Sequence, residues 1–169
     1  MEFLDVVNNN DEVVGQASIK DIYSRNLTHR IVHVFVLDNH GRIALQLRSK
    51  NKAFLPDHWC TSAGGHVSAG ESYEQAALRE MSEELGISTK LYVLGKDLYV
   101  NSYSPTKFLM TFTVRHIGPF NINDEVEKVQ FFTIDEIRTL MDNGAQMHPE
   151  LRFLLEKYFL QGYQETQEY

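Results

Sequence analysis

One uninterrupted stretch of good helix formers, Glu71 to Leu85, contains neither Gly nor Pro and runs into Gly86, a plausible helix stop. The segments around it read as strands. Ile31-Val32-His33-Val34-Phe35-Val36-Leu37 is β-branched and aromatic. Arg42 to Arg48 alternates apolar and polar residues after the turn Asp38-Asn39-His40-Gly41. Leu91 to Val100, Lys107 to Ile117 and Val129 to Phe132 continue the strand pattern beyond the helix. A long helix set among strands buries its apolar stripe on a sheet, so a mixed α/β (α+β) fold is predicted.

The ends of the chain add smaller elements. Glu2 to Val7, the polar turn Asn8-Asn9-Asn10-Asp11, and Glu12 to Gln16 read as a β-hairpin, with a short helix following near Ile19 to Arg25. Thr133 followed by Glu136 is a capping-box signature for a helix running to about Asn143. A last amphipathic helix is expected from Pro149 to about Leu160, and a polar tail from Gln161 to Tyr169. No repeat or linker divides the chain. Residues 1–160 are therefore expected to form a single domain, with 1–30 as an N-terminal extension and 161–169 as the tail.

Charge and composition narrow the partners. A net charge of −7 leaves no basic surplus for a nucleic acid polymer or an anionic membrane. A small phosphorylated ligand stays compatible, because cations in an acidic site attract phosphates. Cys60 is the only cysteine, which rules out an internal disulfide and a Cys-rich zinc site. Neither a signal-peptide pattern nor an apolar run near the roughly 20 residues of a membrane helix is present, so a cytoplasmic location is expected.

The chemistry concentrates in the central helix. Glu80, Glu83 and Glu84 stand at i, i+3 and i+4 and share one face. Like charges at that spacing repel unless something positive sits between them. Hard oxygen ligands so clustered suit Mg²⁺ or Mn²⁺, and a solvated acidic face would account for the same pattern. Arg79 is placed to pair with Glu83, whereas Glu80 has no Lys or Arg four residues away on either side. Gly64-Gly65 just upstream offers backbone that a ligand can approach closely.

The segment from Gly65 to Ile87 resembles the Nudix box. Gly65, Glu71, Arg79, Glu80, Glu83, Glu84 and Gly86 occupy its fixed positions, with Met81 and Ile87 at the apolar ones. At ordinary residue frequencies such a match arises by chance about once in 10⁸–10⁹ starts. His29-Arg30, Arg48 with Lys52, and Phe54-Leu55-Pro56 before Trp59 resemble the isopentenyl-diphosphate-isomerase-like branch of that superfamily. Asp124-Glu125-Val126-Glu127 and the strand and helix after it resemble the closing part of a Nudix domain.

The resemblance implies an α/β/α sandwich around a mixed sheet and a Mg²⁺- or Mn²⁺-dependent hydrolase that cuts a diphosphate bond with metal-activated water. It implies Glu80, Glu84 and Glu83 as metal ligands, Gly65 as a carbonyl ligand, and Glu71 and Arg79 in support. Glu125 and Glu127 are the candidate general bases, and Arg48 and Lys52 the candidate diphosphate contacts. His33, His58 and His66 are read as structural, His66 being beside Gly65. Trp59 and Phe54 are read as packing or pocket-lining residues, and Cys60 as inert.

Two rivals share this pattern. An isopentenyl-diphosphate isomerase carries a cysteine where Gly64 stands and a second acidic cluster near Pro105 and Lys107, where no carboxylate is found. A catalytically silent nucleotide-binding domain usually lacks box acids, and here none is missing. Hydrolysis is the expected activity, on a small nucleoside-diphosphate-type substrate. Nucleoside di- and triphosphates, nucleotide sugars, dinucleoside polyphosphates and coenzyme A all contain the bond. The extension before Ile31 is expected to pack beside the site or to build a homodimer interface.

Overall fold

A computed structural model describes residues 1–161 of the chain, so the polar tail expected over 161–169 lies almost wholly outside the described residues. The N-terminal hairpin forms from β1 (Phe3–Val7) and β2 (Val13–Ser18), followed by α1 (Ile19–Ser24), which Ser18 caps. The main sheet contains β3 (His29–Leu37), β4 (Ile43–Arg48), β5 (Trp59–Cys60), β6 (Ala63–His66), β7 (Tyr92–Tyr99), β8 (Lys107–Arg115) and β9 (Val126–Phe132). Its helices are α2 (Tyr73–Leu85), α3 (Ile134–Asp142) and α4 (Pro149–Tyr158). Among the described residues, no helix is long and apolar enough to cross a membrane.

The sheet is mixed: β3 runs parallel to β8, while its other pairings are antiparallel. The strand period of two sends alternate β3 side chains to opposite faces. Val32, Val34 and Val36 pack under Ala76, Ala77, Met81 and Leu85 of α2. Ile31 and Phe35 pack under Ile137 of α3 and Leu151, Leu154 and Leu155 of α4. The α/β/α layering follows from that alternation.

Most elements form where the residue pattern places them, with informative differences. Helix α2 begins at Tyr73 instead of Glu71, because Ser72 caps it and completes a capping box with Gln75. Strand β9 begins at Val126, ahead of the expected Val129, through its ladder with β4. Strands β5 and β6 carry weak local signals. Ala63-Gly64-Gly65-His66 has little intrinsic β-propensity, yet pairs with Ile31 to Val34 because β3 offers an open edge there.

That open edge creates the cleft. β3 pairs with β4 only at Val36–Ala44 and Leu37–Ile43. Beyond those pairs the strands diverge, β6 lining β3 while β5 continues along β4. Side chains from α2 on one layer and α4 on the other both reach the gap.

Candidate active site

The gap opens as a cleft of about 780 Å³. Gly64, Gly65, Arg79, Glu80, Glu83 and Glu84 line one end of it. Helix α2 delivers Glu80 and Glu84 on consecutive turns, and their carboxyls share a hydrogen bond. Glu84 is only 7% exposed. Its Oε1 accepts from the Gly64 N–H at 3.3 Å, and Oε2 accepts from the Gln46 amide. Burial, reinforced by the Glu80 charge, pushes the Glu84 carboxyl up to about 8. Burial raises Glu80 as well, against the opposing pull of Arg79.

Two like-charged carboxylates held together in a buried place are stable when a cation shares them. Oxygen donors at this density suit a hard divalent ion such as Mg²⁺. The donor set thus fits a divalent metal of the kind the family resemblance implies. Glu83 is less committed: its carboxylate is about half exposed and, among the described residues, pairs with Arg79 alone, at 3.6 Å. Accordingly, no group of three His, Cys, Asp or Glu among the described residues is already gathered as a metal site.

Arg79 organises the loop ahead of the helix. Its Nε and Nη2 donate to the two oxygens of Glu71, each at 2.9 Å, a bidentate pairing. Nη2 also donates to the His66 carbonyl at 3.0 Å, and Nη1 to Glu80 at 2.7 Å. The second oxygen of Glu71 accepts from the Ser68 N–H at 2.9 Å. Pairing with Arg79 holds Glu71 below the usual carboxylate range. The Arg79–Glu83 pairing expected from helical spacing is the weaker contact, since the guanidinium turns toward Glu71 and the adjacent Glu80 instead.

The remaining candidates lie at the cleft mouth. Arg48 commits its guanidinium to the Phe54 and Leu55 carbonyls, at 2.8 and 3.1 Å, and so shapes the loop over residues 49–56. Lys52 pairs with Glu125, and both line the cleft. Glu127 is exposed and away from that lining. Trp59 packs edge-on against Phe132 at 5.2 Å in the core, while Phe54 stays exposed at the mouth. Burial pushes the Cys60 thiol up to about 12, so it stays protonated and unreactive at neutral pH.

The N-terminal extension packs beside the site. Tyr23 Oη lies 2.9 Å from His66 Nε2, the Gly70 N–H donates to Asp5 at 3.0 Å, and the Ala69 N–H donates to the Phe3 carbonyl at 2.8 Å. Sequence reasoning missed Gln46, Tyr23, His148 and Glu150, and gave Lys107 no role. Gln46 is the one polar residue in Ile43-Ala44-Leu45-Gln46-Leu47, a signal that was available. Glu150 carries no such signal, because an acid in the first turn of a helix is ordinary capping chemistry.

Comparison with known proteins places this geometry. Residues 27–152 match the NUDIX domain family. The uncharacterized Nudix hydrolase SCO1686 of Streptomyces coelicolor is 42% identical over 130 residues, 76% of this chain and 71% of that protein. The uncharacterized Nudix hydrolase YfcD of Escherichia coli K12 is 34% identical over 142 residues, 83% of this chain and 79% of that protein. The crystal structure of DR0079 from Deinococcus radiodurans superimposes with a TM-score of 0.81 at 26% identity, covering 94% of this chain and 99% of that one. The chain belongs to the Nudix family and is a hydrolase acting on pyrophosphate bonds.

Proposed function

We propose that the chain is a Mg²⁺- or Mn²⁺-dependent enzyme that cleaves the diphosphate bond of a nucleoside diphosphate linked to another moiety. The observation that carries this reading is the Glu80–Glu84 pair at one end of an open cleft, Glu84 buried and held by the Gly64 N–H and Gln46, and Glu80 held by Arg79. The intact box from Gly65 to Ile87 supports hydrolysis over a silent binding role. Arg48, Lys52 and the Phe54-Leu55-Pro56 run before Trp59 support placement in the isopentenyl-diphosphate-isomerase-like branch.

Glu80 and Glu84 would hold the metal, with Glu83 and the Gly65 carbonyl as its further protein ligands. When bound, the ion supplies Lewis-acid polarisation of the diphosphate and a more acidic water. Arg79 and Glu71 lock the loop from His66 to Glu71 against α2, so the ligand geometry is set before substrate arrives. Lys52 directs its charge to the diphosphate at the mouth, and Arg48 holds the loop that carries it. Glu125, beside Lys52 on the cleft wall, is the candidate base for the attacking water. Water adds to one phosphorus, the bridging P–O bond breaks, and two phosphorylated products leave.

The test is a substrate panel: nucleoside diphosphates, nucleotide sugars, dinucleoside polyphosphates, coenzyme A and isopentenyl diphosphate, each with Mg²⁺, Mn²⁺ or EDTA. Products are identified by mass spectrometry for the wild type and Glu84→Gln. Metal-dependent cleavage that falls by about 100-fold or more in the variant is expected. Isomerised isopentenyl diphosphate, or nucleotide binding with no turnover under any metal, would overturn the reading.

A further inference from the structure

A second group of buried polar side chains lines the same cleft and has no part in the metal chemistry. Lys107 at the start of β8 and Glu150 in the first turn of α4 are 5% and 3% exposed. Glu150 Oε2 lies 3.3 Å from Lys107 Nζ and 3.4 Å from His148 Nε2, and Oε1 lies 3.5 Å from His33 Nε2. All four residues face the cleft.

This group has unused hydrogen-bonding capacity. Charge-assisted contacts normally close to about 2.7–2.9 Å, so these three are loose. A carboxylate offers roughly four lone-pair sites and an ammonium three donors. Among the described residues, Lys107 Nζ has Glu150 as its only hydrogen-bond partner. The Glu150 N–H donates to His148 Nδ1 at 3.1 Å, which leaves the neutral ring its proton on Nε2, 3.4 Å from Glu150 Oε2. Burial holds His148 down at about 4, in keeping with a neutral ring. Long contacts among donors and acceptors that face an open cleft suit a ligand that brings both donors and acceptors.

The chemistry selects among ligands. Lys107 and Glu150 cancel in charge, so a phosphate here would meet a buried carboxylate with no net positive charge to offset it. An apolar group would bury the ion pair without satisfying it. Sugar hydroxyls meet both demands, because each donates one proton and accepts others.

The position is also suitable. His33 faces Gly64 across the β3–β6 ladder, and the Gly64 N–H bonds Glu84. One cross-strand spacing, about 5 Å, thus separates the metal end from the side chain that touches Glu150. A nucleoside sugar sits next to its own phosphate on a similar scale.

We propose that His33, Lys107, His148 and Glu150 form a subsite for the hydroxyls of the substrate's sugar. Glu150 accepts from a vicinal diol, and Lys107 and His148 donate to it. The inference rests on the nucleoside-diphosphate reading above and specifies which part of that substrate the protein recognises.

The experiment compares the best nucleoside-diphosphate substrate of the panel with its 2′,3′-dideoxy counterpart, in the wild type and in Glu150→Gln. Turnover is measured, and binding of the matching monophosphates is followed by calorimetry with Mg²⁺ present. The wild type is expected to favour the ribose compound by about tenfold or more in kcat/KM, mostly through KM. In Glu150→Gln that preference should shrink to within about threefold, a differential that general loss of structure does not mimic. Equal cleavage of both compounds by the wild type would overturn the subsite and leave the hydrolase reading standing. Cleavage of neither would remove both. Should Glu150→Gln fail to fold, the wild-type preference and Lys107→Met decide the matter.

Discussion

The carboxylate of Glu80 lies against the Cα of Gly65, so close that a Cβ added there would collide with it. The obstacle is the far end of a flexible side chain, so Gly65→Ala should displace Glu80 and leave the sheet intact. Activity is expected to fall about 10–100-fold, with a weaker apparent affinity for Mg²⁺. The melting temperature should move by only a few degrees, since the variant changes no buried apolar packing. A metal titration of initial rates beside a thermal melt checks both parts. Unchanged metal affinity would mean that Glu80 does not need this approach.

Arg79 serves Glu71, Glu80 and the His66 carbonyl at once through its planar fork. Lysine keeps the charge but loses the bidentate geometry, so Arg79→Lys should cost at least about tenfold in kcat. Glu71→Gln acts on the same contact, and the double variant should be little worse than either single one. Strictly multiplicative losses in that kinetic cycle would contradict the shared role.

Glu84 should take stability from the metal-free protein as pH rises from about 5 to about 8, read as the difference between the wild type and Glu84→Gln. The unfolded chain ionises Glu84 near the ordinary 4.5, whereas the folded chain holds its proton to about 8. Between those values the unfolded state binds fewer protons, so increasing pH favours unfolding. Glu84→Gln should remove that contribution, and saturating Mg²⁺ should do so by favouring the ionised pair. Chemical denaturation of both proteins across this pH range with EDTA tests it. A difference between the two that does not change with pH would assign the effect elsewhere.

Asp11 in the hairpin turn accepts from Arg30 at 2.6 Å and from Tyr73 Oη at 2.8 Å, and it pairs with Lys96. It thereby joins the extension to β3, α2 and β7. Burial opposes its ionisation, but these partners hold its carboxyl below the ordinary range. Its stabilisation is therefore present above pH 4 and lost as the solution becomes more acidic. Asp11→Ala should destabilise by about 2 kcal/mol, or roughly 4–8 °C in Tm. A change under 1 °C would show the extension to be held by Leu4 and Ile22 packing instead.

The local rules were legible in the chain itself. Helical spacing placed Glu80 and Glu84 on one face of α2, Gly86 marked its end, and Thr133 with Glu136 marked the start of α3. The β-branched run at β3 and the alternation in β4 gave the sheet its frame. Each of these depends on periodicity or capping within a few residues. The box also named Arg79 and Glu71 as a supporting pair, and the structure joins them.

Tertiary structure decided what local spacing leaves open. The divergence of β3 from β4 opens the cleft, recruits Ala63 to His66 into a strand, and brings Gln46 onto Glu84. It turns Arg79 from Glu83 toward Glu71, and sets α4's Glu150 beside Lys107 from a strand 43 residues earlier. Such contacts follow from strand register and from which sheet face each helix covers. Those are fixed by burial of the whole core, and no short window of sequence contains them.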